Sequence, residues 1–129
     1  MERVKSKSDK RLIIEGQVNG KDACFLIDTG ASVAIMDSCQ ERKYGLERGR
    51  EFPNTIVGAG GEMDEVYYCR TMVDFYGKKI PQFLMADLRA VVKNVKRETG
   101  VEILGIISLP QMKMAGISLD CNDNLIILE

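Results

Sequence analysis

Apolar and polar positions alternate over short distances through most of the chain, and this period of two is typical of β-strands. The first clear strand pattern covers residues 11–18. Asn19-Gly20 follows it, and this pair favours a tight hairpin because both central positions of a type I′ turn need positive φ. Residues 23–27 are almost continuously apolar, so the return strand is predicted to be buried on both faces.

The same pattern continues to the end of the chain, with two interruptions that have helical spacing. Helices are predicted from Asp37 or Ser38 to Tyr44 and from Asp87 to about Thr99, each followed by a glycine. The remaining strand patterns cover residues 32–36, 55–57, 65–69, 71–76, 79–85, 101–107, 117–120 and 125–128. Many short strands with two brief helices predict a mostly β domain.

The length of the chain fits a single domain, and its proportions of hydrophobic and charged residues are those of an ordinary globular protein. It has 129 residues, of which 45% are hydrophobic and 29% charged, with a formal net charge of −1. That charge gives no reason to expect nucleic acid as a partner. Residues 1–10 mix basic residues with Ser and Asp and are predicted to be a flexible tail before a domain at residues 11–129.

The chain shows neither a signal peptide nor a membrane-spanning run of about 20 apolar residues, so a cytoplasmic location is the default expectation. Its cysteines are widely spaced, which argues against a zinc knuckle or a dithiol redox centre. Reduced, mostly buried thiols are expected, although the spacing is also compatible with two disulfides. The four cysteines are Cys24, Cys39, Cys69 and Cys121.

Histidine is absent from the whole chain. Ser-His-Asp and Cys-His nucleophile systems therefore cannot be formed within it, and neither can catalytic zinc sites with imidazole ligands. Any hydrolysis must depend on carboxylates, on lysine or on an N-terminal nucleophile. The sequence implies no metal and no organic cofactor.

Asp28 is the carboxylate that stands out, because it ends the apolar strand of residues 23–27 and begins the turn Asp28-Thr29-Gly30. A carboxylate in such surroundings must be hydrogen-bonded, paired or protonated. It could simply be a turn aspartate that accepts backbone N–H groups. The surrounding order favours a catalytic role: an apolar hairpin, Asp-Thr-Gly-Ala-Ser, an apolar strand, a glycine-rich hairpin and a late apolar-apolar-Gly element.

This frame resembles the retropepsin-like aspartic proteases, especially their single-domain bacterial members, from about Arg11 to Leu128. The resemblance implies a closed, barrel-like sheet with a substrate-covering flap and one or two short helices. Its most specific motif is Asp28-Thr29-Gly30-Ala31-Ser32, which would hold the catalytic Asp28 and the residues that support its loop. The flap would be Gly58, Ala59, Gly60 and Gly61, and the structural glycine element Ile103, Leu104 and Gly105.

The resemblance also implies a homodimer that cleaves peptide bonds. Because the chain has one Asp-Thr-Gly, the second catalytic carboxylate would come from Asp28 of an identical chain. Thr29 would form hydrogen bonds across the two-fold axis, and Gly30 would leave room for substrate. Ala31 offers no hydroxyl to the charged carboxylates, so a mildly acidic pH optimum is expected.

A second hypothesis keeps the fold but removes the catalysis. A chain that stays monomeric would have one carboxylate without its partner, and it would be a weak or inactive peptide-binding or assembly module. The sequence leaves the substrate preference open in either case.

Overall fold

The computed structural model describes residues 1–58, 61–63 and 65–129. Its elements are mostly short strands, as the alternating sequence pattern predicts. Of the predicted flap, Ala59 and Gly60 lie outside the described residues. The elements are the strands β1 (Glu2–Lys5), β2 (Ile13–Val18), β3 (Lys21–Ile27), β4 (Ala34–Asp37), β5 (Arg48–Glu51), β6 (Ile56–Gly58), β7 (Gly61–Met63), β8 (Tyr67–Cys69), β9 (Val73–Phe75), β10 (Lys78–Ile80), β11 (Phe83–Ala86), β12 (Ile103–Ile107), β13 (Ile117–Asp120) and β14 (Leu125–Leu128), and the helices α1 (Glu41–Tyr44), α2 (Arg89–Thr99) and α3 (Leu109–Ala115).

Nine of these strands form one sheet in the order β10-β9-β2-β3-β12-β4-β11-β8-β5, which curls into a half-barrel. Strand β12 lies in its middle, parallel to β3 and antiparallel to β4. Alternate residues of β2 and β3 contribute to two cores on opposite faces. Ile14 and Phe25 belong to the larger core, whereas Ile13 and Leu26 pack with α2.

Residues 1–10 differ from the flexible tail that the sequence predicts. Instead of a flexible tail, residues 2–5 form strand β1, which pairs antiparallel with β14 in a second sheet of order β1-β14-β13. Val4 packs against the larger core, and Ser6 connects β1 to β2 because its hydroxyl accepts from Ile13 N and donates to Arg11 O. One apolar residue among charged ones gave too weak a pattern for the prediction.

Two predicted strands also have different partners or bounds. The glycine-rich hairpin is formed by β6 and β7, with Gly58 opposite Gly61, whereas the predicted return strand at residues 65–69 joins the large sheet as β8. The predicted strand at residues 79–85 is two strands, β10 and β11, which lie on opposite sides of the sheet centre. Pro81 and Gln82, whose φ is +71°, separate them.

The described part of the chain contains three α-helices, one more than the sequence predicts. Helix α2 is confirmed, with Gly100 in left-handed conformation at its C-terminus; its own Val95 and the preceding Leu88 are buried. Helix α3 was not predicted, although Pro110 in its first turn and Gly116 after its end are typical helix boundaries. None of the helices in the described ranges is long and apolar enough to cross a membrane.

All four cysteines are free thiols, so the two-disulfide alternative is wrong for this structure. The expectation of mostly buried thiols is also wrong. Only Cys69 is buried; Cys24 is half-buried, while Cys39 and Cys121 are exposed.

Candidate active site

The Asp28 loop is held by backbone hydrogen bonds from two directions. Asp28 N–H donates to Ile107 O at 3.0 Å, which continues the pairing of β3 with β12. Ala31 N–H donates to Asp28 O at 3.1 Å and closes the turn, and Leu109 N–H donates to Ala31 O at 3.4 Å. The loop is therefore attached both to the central strand and to the start of α3.

The carboxylate of Asp28 makes the local contact expected of a turn aspartate. Its Oδ1 accepts from Gly30 N–H at 3.1 Å. Asp28 is nevertheless only partly buried, and together with Gly30, Ala31 and Ser32 it lines a cavity of about 540 Å³. Thr29 belongs to the same loop and is exposed. This contact occupies one carboxylate oxygen, and no residue in the described ranges donates a hydrogen bond to the other.

The wall of this cavity is mostly apolar and comes from three parts of the fold. Helix α2 supplies a face along residues 88–98, the hairpin supplies one residue from each strand, and the sheet supplies the floor. These residues are Leu88, Ala90, Val91, Asn94, Val95 and Glu98 on α2 and just before it, Ile56 and Met63 on the hairpin, and Leu26, Ile35 and Ile106 on the sheet with Val33 just before β4. An apolar cavity with a carboxylate at its surface is typical of a small-molecule or peptide site.

Most of this wall cannot be recognised from the sequence. The apolar stripe of α2 was visible, but nothing in the sequence showed that it faces Asp28. Arg11 and Glu98 also line the cavity and form an ion pair at 3.4 Å. They lie 87 residues apart in the chain, so no local pattern could have connected them.

The structural glycine element lies behind the loop and does not line the cavity. Ile103 and Leu104 are fully buried. Gly105 lies against β4, and a Cβ atom there would overlap Ile35 O and approach Met36 Cα to 3.0 Å. The predicted element therefore allows β12 and β4 to come close, and β12 in turn holds Asp28 through Ile107.

A second carboxylate, Asp37, is almost completely buried at 2% exposure and joins three segments at the end of β4. Its Oδ1 accepts from Cys39 N and Leu88 N, both at 3.1 Å, and its Oδ2 accepts from Gln40 Nε2 at 3.1 Å. The predicted cap at Asp37 is confirmed for the 3₁₀ turn Ser38–Gln40 that precedes α1. Asp37 also positions the start of α2, and hence one wall of the cavity.

We expect Asp37→Ala to lower the free energy of unfolding by about 2–3 kcal/mol, because it leaves the buried Leu88 N–H without an acceptor. Urea denaturation measures this loss. The matched control is Asp123→Ala, which removes an exposed carboxylate and should change stability by less than about 0.5 kcal/mol. Equal stability of the two variants would contradict the role given to Asp37.

Asp37, Cys39 and Asp87 place one ligand atom each within 4.8 Å of one another. The oxygens of Asp37 are already occupied by the donors described above, and Arg89 binds both oxygens of Asp87 at 2.8–3.1 Å. This hydrogen bonding lowers the pKa of Asp87 to about 2. The pair at the start of α2 therefore stays charged through the mildly acidic range, and the cluster supports no metal assignment.

Comparison with known proteins agrees with this geometry. Residues 14–111 match the family described as "gag-polyprotein putative aspartyl protease". No curated protein matches the sequence of the chain. The matched range contains the Asp28 loop, the hairpin and the glycine element, and so covers every candidate site residue named from the sequence.

Solved structures show the same fold at low sequence identity. The EIAV protease, complexed with the inhibitor HBY-793, is similar with a TM-score of 0.61 and 20% identity over 85% of this chain and 92% of its own. The retroviral protease-like domain of Ddi1 from Leishmania major is similar with a TM-score of 0.62 and 21% identity, over 92% of this chain and 88% of its own. The fold and the family are those of aspartic proteases: the chain has a retropepsin-like fold and belongs to the gag-polyprotein aspartyl protease family.

Proposed function

We propose that this chain is an aspartic endopeptidase that acts as a homodimer, with one Asp28 from each chain. The observation that carries the proposal is the position of Asp28, partly exposed at the surface of an apolar cavity of about 540 Å³. A carboxylate that served only to close its turn would need no such cavity. The family and the fold support the same activity.

The chemistry requires two carboxylates that share one proton. Two such groups within hydrogen-bond distance do not both ionise easily, so one remains protonated. The charged one takes a proton from a water molecule that attacks the scissile carbonyl, and the protonated one stabilises the developing oxyanion and the leaving amine. In this proposal Thr29 stabilises the paired loops, and Gly30 and Ala31 leave space for the substrate backbone.

The substrate proposed is a peptide in extended conformation beneath the hairpin β6–β7. Ile56 and Met63 on this hairpin line the cavity together with the α2 face. In this proposal the hairpin β6–β7 covers the bound peptide as a flap. The cavity volume is large enough for a side chain of any size next to the scissile bond.

The alternative is a peptide-binding or assembly module of the same fold that cleaves little or nothing. A monomer also has the partly exposed Asp28 and its cavity. The two functions therefore differ in that only peptide cleavage depends on the dimer. In a monomer the single carboxylate has no partner with which to share a proton.

Cleavage of a peptide library across a series of protein concentrations separates the two functions. We expect the activity per chain to fall on dilution, with its midpoint at the dimer dissociation constant that sedimentation gives for the same samples. Activity per chain that does not depend on concentration, in a protein that sediments as a monomer, would contradict the proposed mechanism. Absence of cleavage in samples shown to be dimeric would favour the binding module.

A further inference from the structure

A buried pair of polar side chains, Ser108 and Gln111, lies next to the Asp28 loop, and neither residue lines the cavity. Ser108 is completely buried and Gln111 is 3% exposed. The Ser108 hydroxyl donates to Gln111 Oε1, and Gln111 Nε2 donates to Gln82 O at 2.9 Å. Polar groups are costly to bury, and apolar residues of similar size would fill the same space without hydrogen bonds. Packing alone therefore does not account for the pair.

The pair does not adopt the arrangement that is usual for its sequence. Ser108 is the N-cap residue of α3 and Gln111 follows three residues later, which is the spacing of a capping box. In a capping box each side chain binds the backbone N–H of the other residue. Here the Ser108 side chain makes no capping bond to the helix, and the Gln111 amide donates to Gln82 instead. The two side chains thus connect α3 to a distant part of the chain.

Ser108 lies between the two residues that hold the Asp28 loop. On one side of it, Ile107 O accepts from Asp28 N–H at 3.0 Å, and on the other side Leu109 N–H donates to Ala31 O at 3.4 Å. Both of these residues are bonded directly to Ser108, so a shift of the backbone at residue 108 moves both hydrogen bonds. The position of Ser108 therefore affects both ends of the turn that carries the Asp28 carboxylate.

Gln82 connects the same network to the strand that follows the loop. It lies between β10 and β11, and its φ of +71° is unfavourable for a residue other than glycine. Phe83, the next residue, pairs with Ala34, which begins β4 directly after the Asp28 loop. Gln111 therefore joins α3 to the pair of strands that continues from the loop.

We propose that Ser108 and Gln111 are positioning residues that hold the Asp28 loop in the geometry needed for two carboxylates to share a proton. This inference rests on the proposed function, and the two residues act through the loop because neither lines the cavity. Displacement of a catalytic group by about 1 Å can lower a rate about a hundredfold. A buried polar pair whose hydrogen bonds are satisfied restricts the structure around it more closely than apolar packing does.

Gln111→Met tests the inference, because methionine has a similar length and no amide. We expect kcat for peptide cleavage to fall about tenfold and KM to change less than twofold, since the cavity wall is unaltered. The melting temperature should fall by about 5 °C, because the buried Ser108 hydroxyl loses its acceptor. The matched control is Val73→Ala in the core beside β9, which should lower the melting temperature at least as much and leave kcat unchanged.

The double variant Ser108→Ala/Gln111→Met separates positioning from stability. With both partners removed, neither side chain is left unpaired, so most of the loss in melting temperature should be recovered. We expect kcat to stay about tenfold below that of the wild type, because the hydrogen bonds that fix the loop are still missing. Recovery of both the melting temperature and kcat would show that the pair only fills the core, and would overturn the proposal.

Amide hydrogen exchange of the loop gives a measurement that needs no cleavage. The N–H groups of Asp28, Ala31 and Leu109 donate the hydrogen bonds that hold the loop. In the double variant these amides should exchange about tenfold faster than in the wild type, whereas the paired amides of β2 and β3 should keep their rates. Unchanged exchange at all three loop amides would contradict the proposal even if kcat falls.

Together the two measurements distinguish failure of this inference from failure of the proposed function. If the wild-type protein cleaves no peptide while the loop amides of the double variant exchange faster, the pair positions the loop and the endopeptidase function is refuted. If the wild-type protein cleaves peptides through Asp28 and the variants keep both its kcat and its exchange rates, the function stands and the positioning role is refuted.

Discussion

Asp28→Asn should abolish peptide cleavage, lowering kcat/KM by at least about a thousandfold. Asparagine has nearly the same shape as aspartate, and its side-chain oxygen can still accept the Gly30 N–H. It can neither accept a proton from the attacking water nor share one with a partner carboxylate. The variant therefore removes the chemistry and keeps the loop, and cleavage of a peptide library measures the loss.

The control for this variant is Asp123→Asn, the same chemical change at an exposed carboxylate in the turn between β13 and β14. It should cleave at the wild-type rate. Equal activity of the wild-type protein and Asp28→Asn would eliminate the aspartic mechanism. A melting temperature of Asp28→Asn close to that of the wild type would exclude unfolding as the cause of a loss.

Mixing the two proteins adds a test of the shared site. At a fixed amount of wild-type chain, a ninefold excess of Asp28→Asn leaves about one wild-type chain in ten with a wild-type partner, if subunits pair at random. The activity should then fall to about a tenth of its starting value. Activity that does not respond to the excess, with exchange of subunits confirmed, would show that each chain is active alone.

Gly105→Ala should have the largest effect on stability, at about 3 kcal/mol or more. Gly105 is buried in β12 between β3 and β4, opposite Phe25 and Met36. A Cβ atom there would overlap the backbone oxygen of Ile35, and a backbone atom in the middle of a sheet cannot turn away as a flexible side chain can. Urea denaturation measures the effect in soluble protein, and loss of soluble protein would be its extreme form.

Gly20→Ala is the matched control for Gly105→Ala. Gly20 has a φ of +80°, but no atom lies within 4 Å of an added Cβ, so backbone strain alone should cost about 1 kcal/mol. The comparison isolates steric overlap from conformational strain. Similar losses for the two variants would show that β12 and β4 can separate easily, and would contradict the packing role of Gly105.

The sequence was informative wherever function or burial depends on residues close together in the chain. The pattern of residues 11–27 predicts β2, the Asn19-Gly20 turn and β3, because the period, the turn chemistry and the burial all agree there. The Asp28 loop and the glycine element are recognised from the sequence for the same reason. Each is a short run of neighbouring residues, so it can be recognised without knowledge of the rest of the fold.

What the sequence could not supply are contacts made across long separations. The apolar stripe of α2 predicts that one face of the helix is buried. Only the fold shows that this face lines the same cavity as Asp28. The pairing of β1 with β14 joins the two ends of the chain, and one apolar residue, Val4, was too little to predict it. The apolar pattern predicts a single strand over residues 79–85, because the pattern does not show that the first strand ends before Pro81.

The exposed charges of strand β1 affect how readily this edge of the sheet can pair with another chain. An unpaired edge of a sheet can pair with a strand of another chain, and repeated pairing of this kind leads to aggregation. Arg3 and Lys5 are exposed on β1, the edge strand of the sheet β1-β14-β13, and another copy of β1 that pairs here in a register centred on residue 3, 4 or 5 brings like charges opposite each other. The same charged residues that make β1 hard to recognise in the sequence thus disfavour pairing of this edge with further copies.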